Sequence, residues 1–230
     1  MLEKLKQQVR IANQKLTQAL VDSNTTFGNL SAIDETHRFI AIKPSGIPFN
    51  ELKDEDIPIL DLNGNLIEGD KKPSSDTPTH LELYKAFPQI KSIIHTHSQN
   101  ATAFAQAKTP IKCLGTTHAD YFNGTIPITR ELTEEEINNN YEQNTGKVII
   151  ETFNNSNINP LEIPASLVSF HGPFVWGASI NQALTNAHIL EQIAKLNLKT
   201  IMINSSTEIN KNLLNKHYQR KHGKNAYYGQ

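Results

Sequence analysis

The chain has 230 residues, a formal net charge of −1 and a hydrophobic content of 37%, which suits one large domain with a buried core. Its near-neutral charge gives no basic excess for nucleic acid or an anionic membrane surface, and no apolar run approaches the roughly 18 residues of a membrane span. The charged start at 1–6 and the single Cys113 predict a cytoplasmic protein without a secretory signal or an internal disulfide.

The first half of the chain predicts a helix, then strands and turns. Apolar residues recur at helical spacing over 2–20, which predicts an amphipathic helix. The turn at 27–31 leads into extended chain, and Asn63-Gly64 favours a type I′ hairpin. A loop at 71–76 precedes a helix over 77–87 that has a proline in its first turn. The predicted strands of this half cover 38–43, 57–62 and 65–67.

The second half predicts further strands alternating with helices. Thr133 and Glu136 form a predicted capping box for a helix that runs to residue 153. The other predicted helices cover 100–108, 179–198 and 207–222. The predicted strands cover 91–98, 111–114, 125–129 and 166–170. This order of elements predicts one α/β domain over 1–230, with a mixed sheet between helices.

The most informative motif is His95-Thr96-His97, at the end of a predicted strand. Strand side chains alternate with period two, so both imidazoles leave one face, roughly 6.5–7 Å apart along the backbone. Two neutral imidazoles this close can share a divalent ion, and zinc suits them best. The alternative is that both rings simply lie at a solvated strand end.

His171 lies at the end of another predicted strand, before Gly172-Pro173. A histidine pair with one distant histidine is a common arrangement in three-histidine zinc sites. Beside Gly-Pro, however, a single histidine is also an ordinary turn residue. Together with the His95/His97 pair, His171 becomes a candidate third ligand.

Three segments combine turns with hydroxyl, amide or cationic groups. At 72–80, Ser75 or Asp76 can cap the following helix. Alternatively, hydroxyls and free amides there bind a phosphate at the helix N-terminus, while Asp76 reaches a metal. The other two segments are Gly28-Asn29 and the turn at 43–46, to which Lys43 adds a cation.

Eight motifs in this order resemble the L-ribulose-5-phosphate 4-epimerases, a family within the class II (zinc) sugar-phosphate aldolase superfamily. The resemblance covers essentially the whole chain. The motifs are GNLS at 28–31, IKPSG at 42–46, KPSSDTPTH at 72–80, HTH at 95–97, GTTHADY at 115–121, SFHGPF at 169–174, KHY at 216–218 and AYYGQ at 226–230.

The resemblance implies a largely antiparallel sheet, one zinc ion per subunit with other divalent ions also possible, and a homotetramer with active sites at subunit interfaces. It implies zinc ligands at His95, His97, His171 and Asp76. It implies an acid/base pair formed by Asp120 and Tyr228, with the C-terminal tail reaching a neighbouring subunit. The implied substrate-binding residues are Gly28, Asn29, Lys43, Ser45, Gly46, Ser74, Ser75, Thr116 and His217.

Two of these residues also have ordinary structural interpretations. Without the resemblance, Asp120 in a Thr-His-Ala-Asp loop is typical of a turn or cap, and Tyr228 is typical of a packed or disordered tail. Composition and spacing do not decide between these interpretations and catalysis.

The implied reaction interconverts L-ribulose 5-phosphate and D-xylulose 5-phosphate. The proton on C4 is not acidic, because the ketone is at C2, and no nicotinamide-binding glycine fingerprint is present. The remaining route to epimerisation is to break and remake the C3–C4 bond, with a divalent ion as Lewis acid. The alternatives are a class II aldolase for an L-fuculose- or L-rhamnulose-phosphate type of substrate, in which a glutamate matches Asp76, and a non-catalytic scaffold.

Overall fold

Seven strands drawn from both halves of the chain form one sheet. The structure, a computed structural model, describes residues 2–18 and 20–229. The strands are β1 (Asn29–Ile33), β2 (Phe39–Ile42), β3 (Ile59–Asp61), β4 (Leu66–Glu68), β5 (Ser92–His95), β6 (Ala165–Val168) and β7 (Gly172–Gly177). Their order across the sheet is β4-β3-β2-β1-β5-β7-β6, and every neighbouring pair is antiparallel.

Helices cover both faces of this sheet. The helices of the described chain are α1 (Leu2–Leu16), α2 (Thr77–Ala86), α3 (Gln99–Gln106), α4 (Thr116–Ala119), α5 (Glu134–Asn138), α6 (Tyr141–Asn155), α7 (Ile180–Ile203) and α8 (Lys211–His222). In the described part of the chain, no helix is both long enough and apolar enough to cross a membrane.

The alternation of strand side chains divides the core into two layers. On β5, Ile94 packs into the layer formed with α1, α3 and α7, whereas Ile93 packs into the layer formed with α2 and α6. On β7, Val175 and Trp176 divide in the same way. The result is a single domain with an antiparallel sheet between helical layers, which confirms the predicted fold class.

Several details of the prediction are wrong. Residues 111–114 and 125–129 form no strands and make only isolated bridges, of which Ile128 with Leu167 is the one parallel pairing in the described chain. The helix that begins after Thr133 is split into α5 and α6, because Asn140 has a φ of 56° and interrupts the helical backbone. Strand β7, which contains Pro173, was not predicted.

The β3–β4 hairpin also differs from the expected type I′ turn, which needs positive φ at both central residues. At the tip only Gly64 has positive φ, at 86°. The Gly64 N–H donates to the Asp61 carbonyl at 3.0 Å, and the Asp61 N–H donates to the Asn65 carbonyl at 3.0 Å. This pattern is a type I turn followed by a left-handed glycine bulge.

Candidate metal centre and anion site

The strand register fixes the position of His95. His95 is the last residue of β5, paired with Asn29 on β1 and with Phe174 on β7. Its ring stacks on that of Phe174, with centroids 4.3 Å apart and planes at 17°. Its Nδ1 lies 3.0 Å from the Pro173 carbonyl. Because a carbonyl only accepts, Nδ1 carries the proton and Nε2 keeps its lone pair for a ligand.

His97 lies beyond the strand but beside the same ring. Since β5 ends at His95, the predicted alternation within one strand does not extend to His97. The loop nevertheless keeps the two ring centroids 5.0 Å apart and their Nε2 atoms 3.1 Å apart. Two nitrogens at about 2.0–2.1 Å from one tetrahedral zinc lie about 3.3–3.4 Å apart, so the pair fits a shared ion.

His171 reaches the pair from the turn between β6 and β7. Phe170, with a φ of 62°, reverses the chain there. The ring of His171 lies 4.6 Å from that of His95 and 5.1 Å from that of His97. One ligand atom from each of the three histidines lies within 4.8 Å of the others, so together they can hold a metal ion.

Burial keeps the three rings in the neutral form that a metal needs. It lowers the pKa of His95 to about 3, and it also lowers the pKa values of His97 and His171. At neutral pH, metal binding at these rings therefore displaces few protons.

Asp76 immediately precedes α2, but its side chain makes no capping hydrogen bond. Instead, its Oδ2 accepts from Asn29 Nδ2 at 2.6 Å. Burial opposes ionisation of Asp76, yet the rings of His95 and His80 and the bond from Asn29 hold its pKa below the usual value. The carboxylate lines the same cavity as the histidines, but it does not belong to the group of ligand atoms that lie within 4.8 Å of one another.

These groups line one cavity of about 180 Å³, small compared with the roughly 300–1,000 Å³ of drug-sized pockets. We call it the histidine cavity. It unites most of the predicted site residues and adds Thr26, Phe27 and Pro44. Its lining is Thr26, Phe27, Gly28, Asn29, Lys43, Pro44, Ser45, Ser74, Ser75, Asp76, His95, His97 and His171. Gly46, with a φ of 77°, lies outside this lining.

Lys43 places a buried cation in the wall of the cavity. The residue is 1% exposed, and its Nζ donates to the carbonyls of Thr26 at 3.2 Å and Pro44 at 3.3 Å. It forms no ion pair with a carboxylate of the described chain. Burial lowers its pKa to about 8, so it is mostly protonated at pH 7. The ring of Phe49, with its centroid 4.7 Å from Nζ, also contacts the cation, but none of these partners is negatively charged, which favours a bound anion.

The remaining predicted residues lie in a second group, outside the histidine cavity. Asp120, which follows α4, accepts from His217 Nδ1 at 3.0 Å and from Arg220 Nη2 at 2.9 Å. The Arg220 guanidinium carbon lies 4.0 Å from the centroid of the Tyr228 ring. Thr116 begins α4, and its carbonyl accepts the Asp120 N–H at 2.9 Å. We call these five residues the Asp120 cluster.

Several residues that support these two sites were not selected from the sequence. Phe27 lies 5.5 Å from the ring of His97, Phe174 stacks on His95, and the Tyr141 hydroxyl lies 3.5 Å from His171 Nδ1. Arg220 links two predicted residues. Two of them had a signal in the sequence: Phe27 is adjacent to Gly28-Asn29, and Phe174 ends the SFHGPF motif.

Comparison with known proteins gives a consistent match. Residues 8–198 match the family model described as the class II aldolase and adducin N-terminal domain. A solved L-fuculose 1-phosphate aldolase is 26% identical over 94% of this chain and 95% of its own, with a TM-score of 0.79.

Two further solved structures show the same fold. The L-fuculose 1-phosphate aldolase of Glaciozyma antarctica is 18% identical over 95% of this chain and 81% of its own, with a TM-score of 0.74. The L-fuculose-1-phosphate aldolase of Thermus thermophilus is 21% identical over 90% of this chain and 100% of its own, with a TM-score of 0.68.

The candidate metal centre is tested by replacing one of its histidines. The wild-type chain is expected to bind one zinc ion, and His97→Ala should weaken zinc binding by more than about 100-fold, because it leaves two of the three imidazoles. Competition with a chelator, read by elemental analysis, measures the change. His188→Ala is the matched control, since His188 lies on α7 outside the cavity. Equal zinc affinity in His97→Ala and the wild type would contradict the assignment.

The candidate anion site is tested by replacing Lys43 with methionine. Because burial disfavours its charged form, the folded protein binds this proton less tightly than the unfolded chain does. The group therefore costs stability below pH 8, and the cost diminishes as pH rises from about 8 towards the unfolded value. Lys43→Met should thus be more stable at pH 7 by about 1 kcal/mol or more.

Thermal unfolding with and without inorganic phosphate measures both effects of Lys43. Phosphate should raise the midpoint of the wild type but leave that of Lys43→Met unchanged. Lys195→Met, an exposed change on α7, controls for the loss of a charge. The same phosphate response in Lys43→Met as in the wild type would show that the cation does not bind the anion.

Proposed function

The chain belongs to the class II aldolase and adducin N-terminal domain family, and we propose that it is a zinc-dependent epimerase that interconverts L-ribulose 5-phosphate and D-xylulose 5-phosphate. The observation that carries the proposal is the histidine cavity itself. It combines three convergent imidazoles with the buried cation of Lys43. A small phosphorylated ligand with adjacent oxygens complements both features.

In this proposal the phosphate lies at the Lys43 end of the cavity. The hydroxyls of Ser45, Ser74 and Ser75 are donors there, and Lys43 supplies the charge. Asn29 supports the proposal because its Oδ1 is buried without a hydrogen-bond partner and is therefore available to a ligand hydroxyl. Gly28, with a φ of 85°, and Gly46, with a φ of 77°, let the backbone turn close to the substrate.

The metal would be held by His95, His97 and His171, with Asp76 as the fourth ligand. When bound there, zinc supplies a Lewis acid for the negative charge that develops on the substrate oxygens. Neighbouring residues already orient two of these side chains. Phe174 and the Pro173 carbonyl orient the ring of His95, and Asn29 donates a hydrogen bond to the carboxylate of Asp76.

Epimerisation at C4 then proceeds by cleavage and re-formation of one carbon–carbon bond. A base removes the proton of the C4 hydroxyl, the C3–C4 bond breaks, and its electron pair leaves on the C1–C3 fragment as an enediolate. Glycolaldehyde phosphate forms from C4 and C5. Rotation of the aldehyde exposes its other face, the C3–C4 bond forms again, and an acid returns a proton to the C4 oxygen.

The acid and base in this proposal are Asp120 and Tyr228 of a neighbouring copy. Neither residue lines the histidine cavity of its own chain, and opposite faces of an aldehyde require proton transfer from two directions. Thr116 and His217 belong to the same cluster and would line the pocket with them. This arrangement requires a homo-oligomer, for which we propose a tetramer with active sites at its interfaces.

The second candidate is a class II aldolase. The L-fuculose 1-phosphate aldolase neighbour at 26% identity favours it. Asp76 argues against an aldolase. A glutamate at this position would reach further and could protonate an enediolate, which would release the fragments, whereas the shorter aspartate would not. A non-catalytic scaffold would not need unpaired polar groups in a cavity. One domain over 1–230 and a cytoplasmic location remain predictions.

Product analysis tests the proposal. Purified, zinc-loaded protein is incubated with L-ribulose 5-phosphate and followed by ¹³C NMR, with His97→Ala as the inactive control. The proposal expects signals of D-xylulose 5-phosphate to grow until both epimers stand at equilibrium. If L-ribulose 5-phosphate persists while L-fuculose 1-phosphate is cleaved to dihydroxyacetone phosphate and an aldehyde, the protein is an aldolase.

A further inference from the structure

We propose that Arg220 is a positioning residue that holds Asp120 and Tyr228 together as one acid/base unit. The inference rests on the proposed function, because it concerns the two residues assigned there to proton transfer. It adds a residue that lies beyond the matched family segment of 8–198 and that does not line the histidine cavity.

One guanidinium contacts both partners. Arg220 Nε donates to Asp120 Oδ1 at 3.1 Å, and Nη2 donates to Asp120 Oδ2 at 2.9 Å. Such a bidentate ion pair fixes the plane of the carboxylate, which a lysine cannot do. The same guanidinium lies over the Tyr228 ring at 4.0 Å, within the distance of a cation–π contact.

The backbone of Arg220 anchors the tail separately. Its carbonyl accepts the N–H groups of Tyr227 at 2.9 Å and Tyr228 at 3.1 Å, so the chain folds back over the end of α8. These bonds do not involve the side chain. A side-chain substitution therefore removes the guanidinium while leaving the anchor of the tail in place.

The hydrogen bonds also identify the reactive oxygen of Asp120. Oδ1 accepts from both His217 Nδ1 and Arg220 Nε, whereas Oδ2 accepts only from Arg220 Nη2 in the described chain. An ionised carboxylate has about four acceptor positions. The remaining one is on Oδ2, so Oδ2 is the atom that exchanges a proton with the C4 oxygen, and Arg220 sets its direction.

Two variants separate this role from folding. Arg220→Ala leaves a space that a guanidinium ion can fill, and Arg220→Lys keeps the charge without the planar fork. Lys216→Met is the matched control, because its Nζ lies 5.4 Å from the ring of Tyr227 and not over Tyr228. Asp120→Asn is the control that no added guanidinium should rescue.

The measurements are kcat, KM and zinc content with L-ribulose 5-phosphate. Arg220→Ala should lose roughly 10- to 100-fold in kcat, the effect of removing charge-assisted hydrogen bonds, with KM and zinc content unchanged. Millimolar guanidinium should restore part of the activity of Arg220→Ala but none of Asp120→Asn. Arg220→Lys should fall between Arg220→Ala and the wild type, and Lys216→Met should match the wild type.

Three results would overturn the inference. These are a kcat of Arg220→Ala within twofold of the wild type, an equal loss in Lys216→Met, and loss of zinc or of the folded state in Arg220→Lys. If the wild type instead cleaves L-fuculose 1-phosphate, the proposed function fails, and the same comparison on that reaction still tests Arg220.

Discussion

The candidate site depends on the register of three antiparallel strands. Where β5 ends, His95 is paired with Asn29 on one side and with Phe174 on the other. Asn29 holds Asp76 from the first side, and the turn before β7 delivers His171 from the second. A one-residue shift of either strand would turn these side chains to the opposite face of the sheet, so the pairing that forms the core also assembles the ligands.

The same region concentrates buried polar groups whose hydrogen bonds or charges the fold leaves incompletely matched. Lys43 is buried without a carboxylate, and Asn29 Oδ1 and His80 Nε2 are buried without a hydrogen-bond partner. Each such group costs stability in the free protein. The surrounding layers of aliphatic and aromatic side chains offset that cost. A bound anion and metal would satisfy Lys43 and the histidines, which links the local cost to the proposed function.

Local patterns predicted most of the fold and the three histidines that could hold a metal ion. The spacing of apolar residues predicted α1 and α7, and Pro78 marked the start of α2. The sequence predicted adjacent rings for His95 and His97, and they are adjacent. The predicted reason, alternation along one strand, is only partly right because β5 ends before His97. The pairing of β7 with β5 was not predictable, because it joins residues far apart in sequence. The contacts of Arg220 with Asp120 could not be predicted for the same reason, since they depend on packing between α4 and α8.

The central claim is that one active site is built from two chains, and mixing two inactive variants tests it most directly. His97→Ala lacks the metal centre and Tyr228→Phe lacks the tyrosine. After subunit exchange in an equal mixture, about a quarter of the interfaces should combine an intact metal site with an intact tyrosine. The account predicts about that fraction of wild-type epimerase activity. Exchange demonstrated by mass spectrometry, with no activity regained, would contradict it.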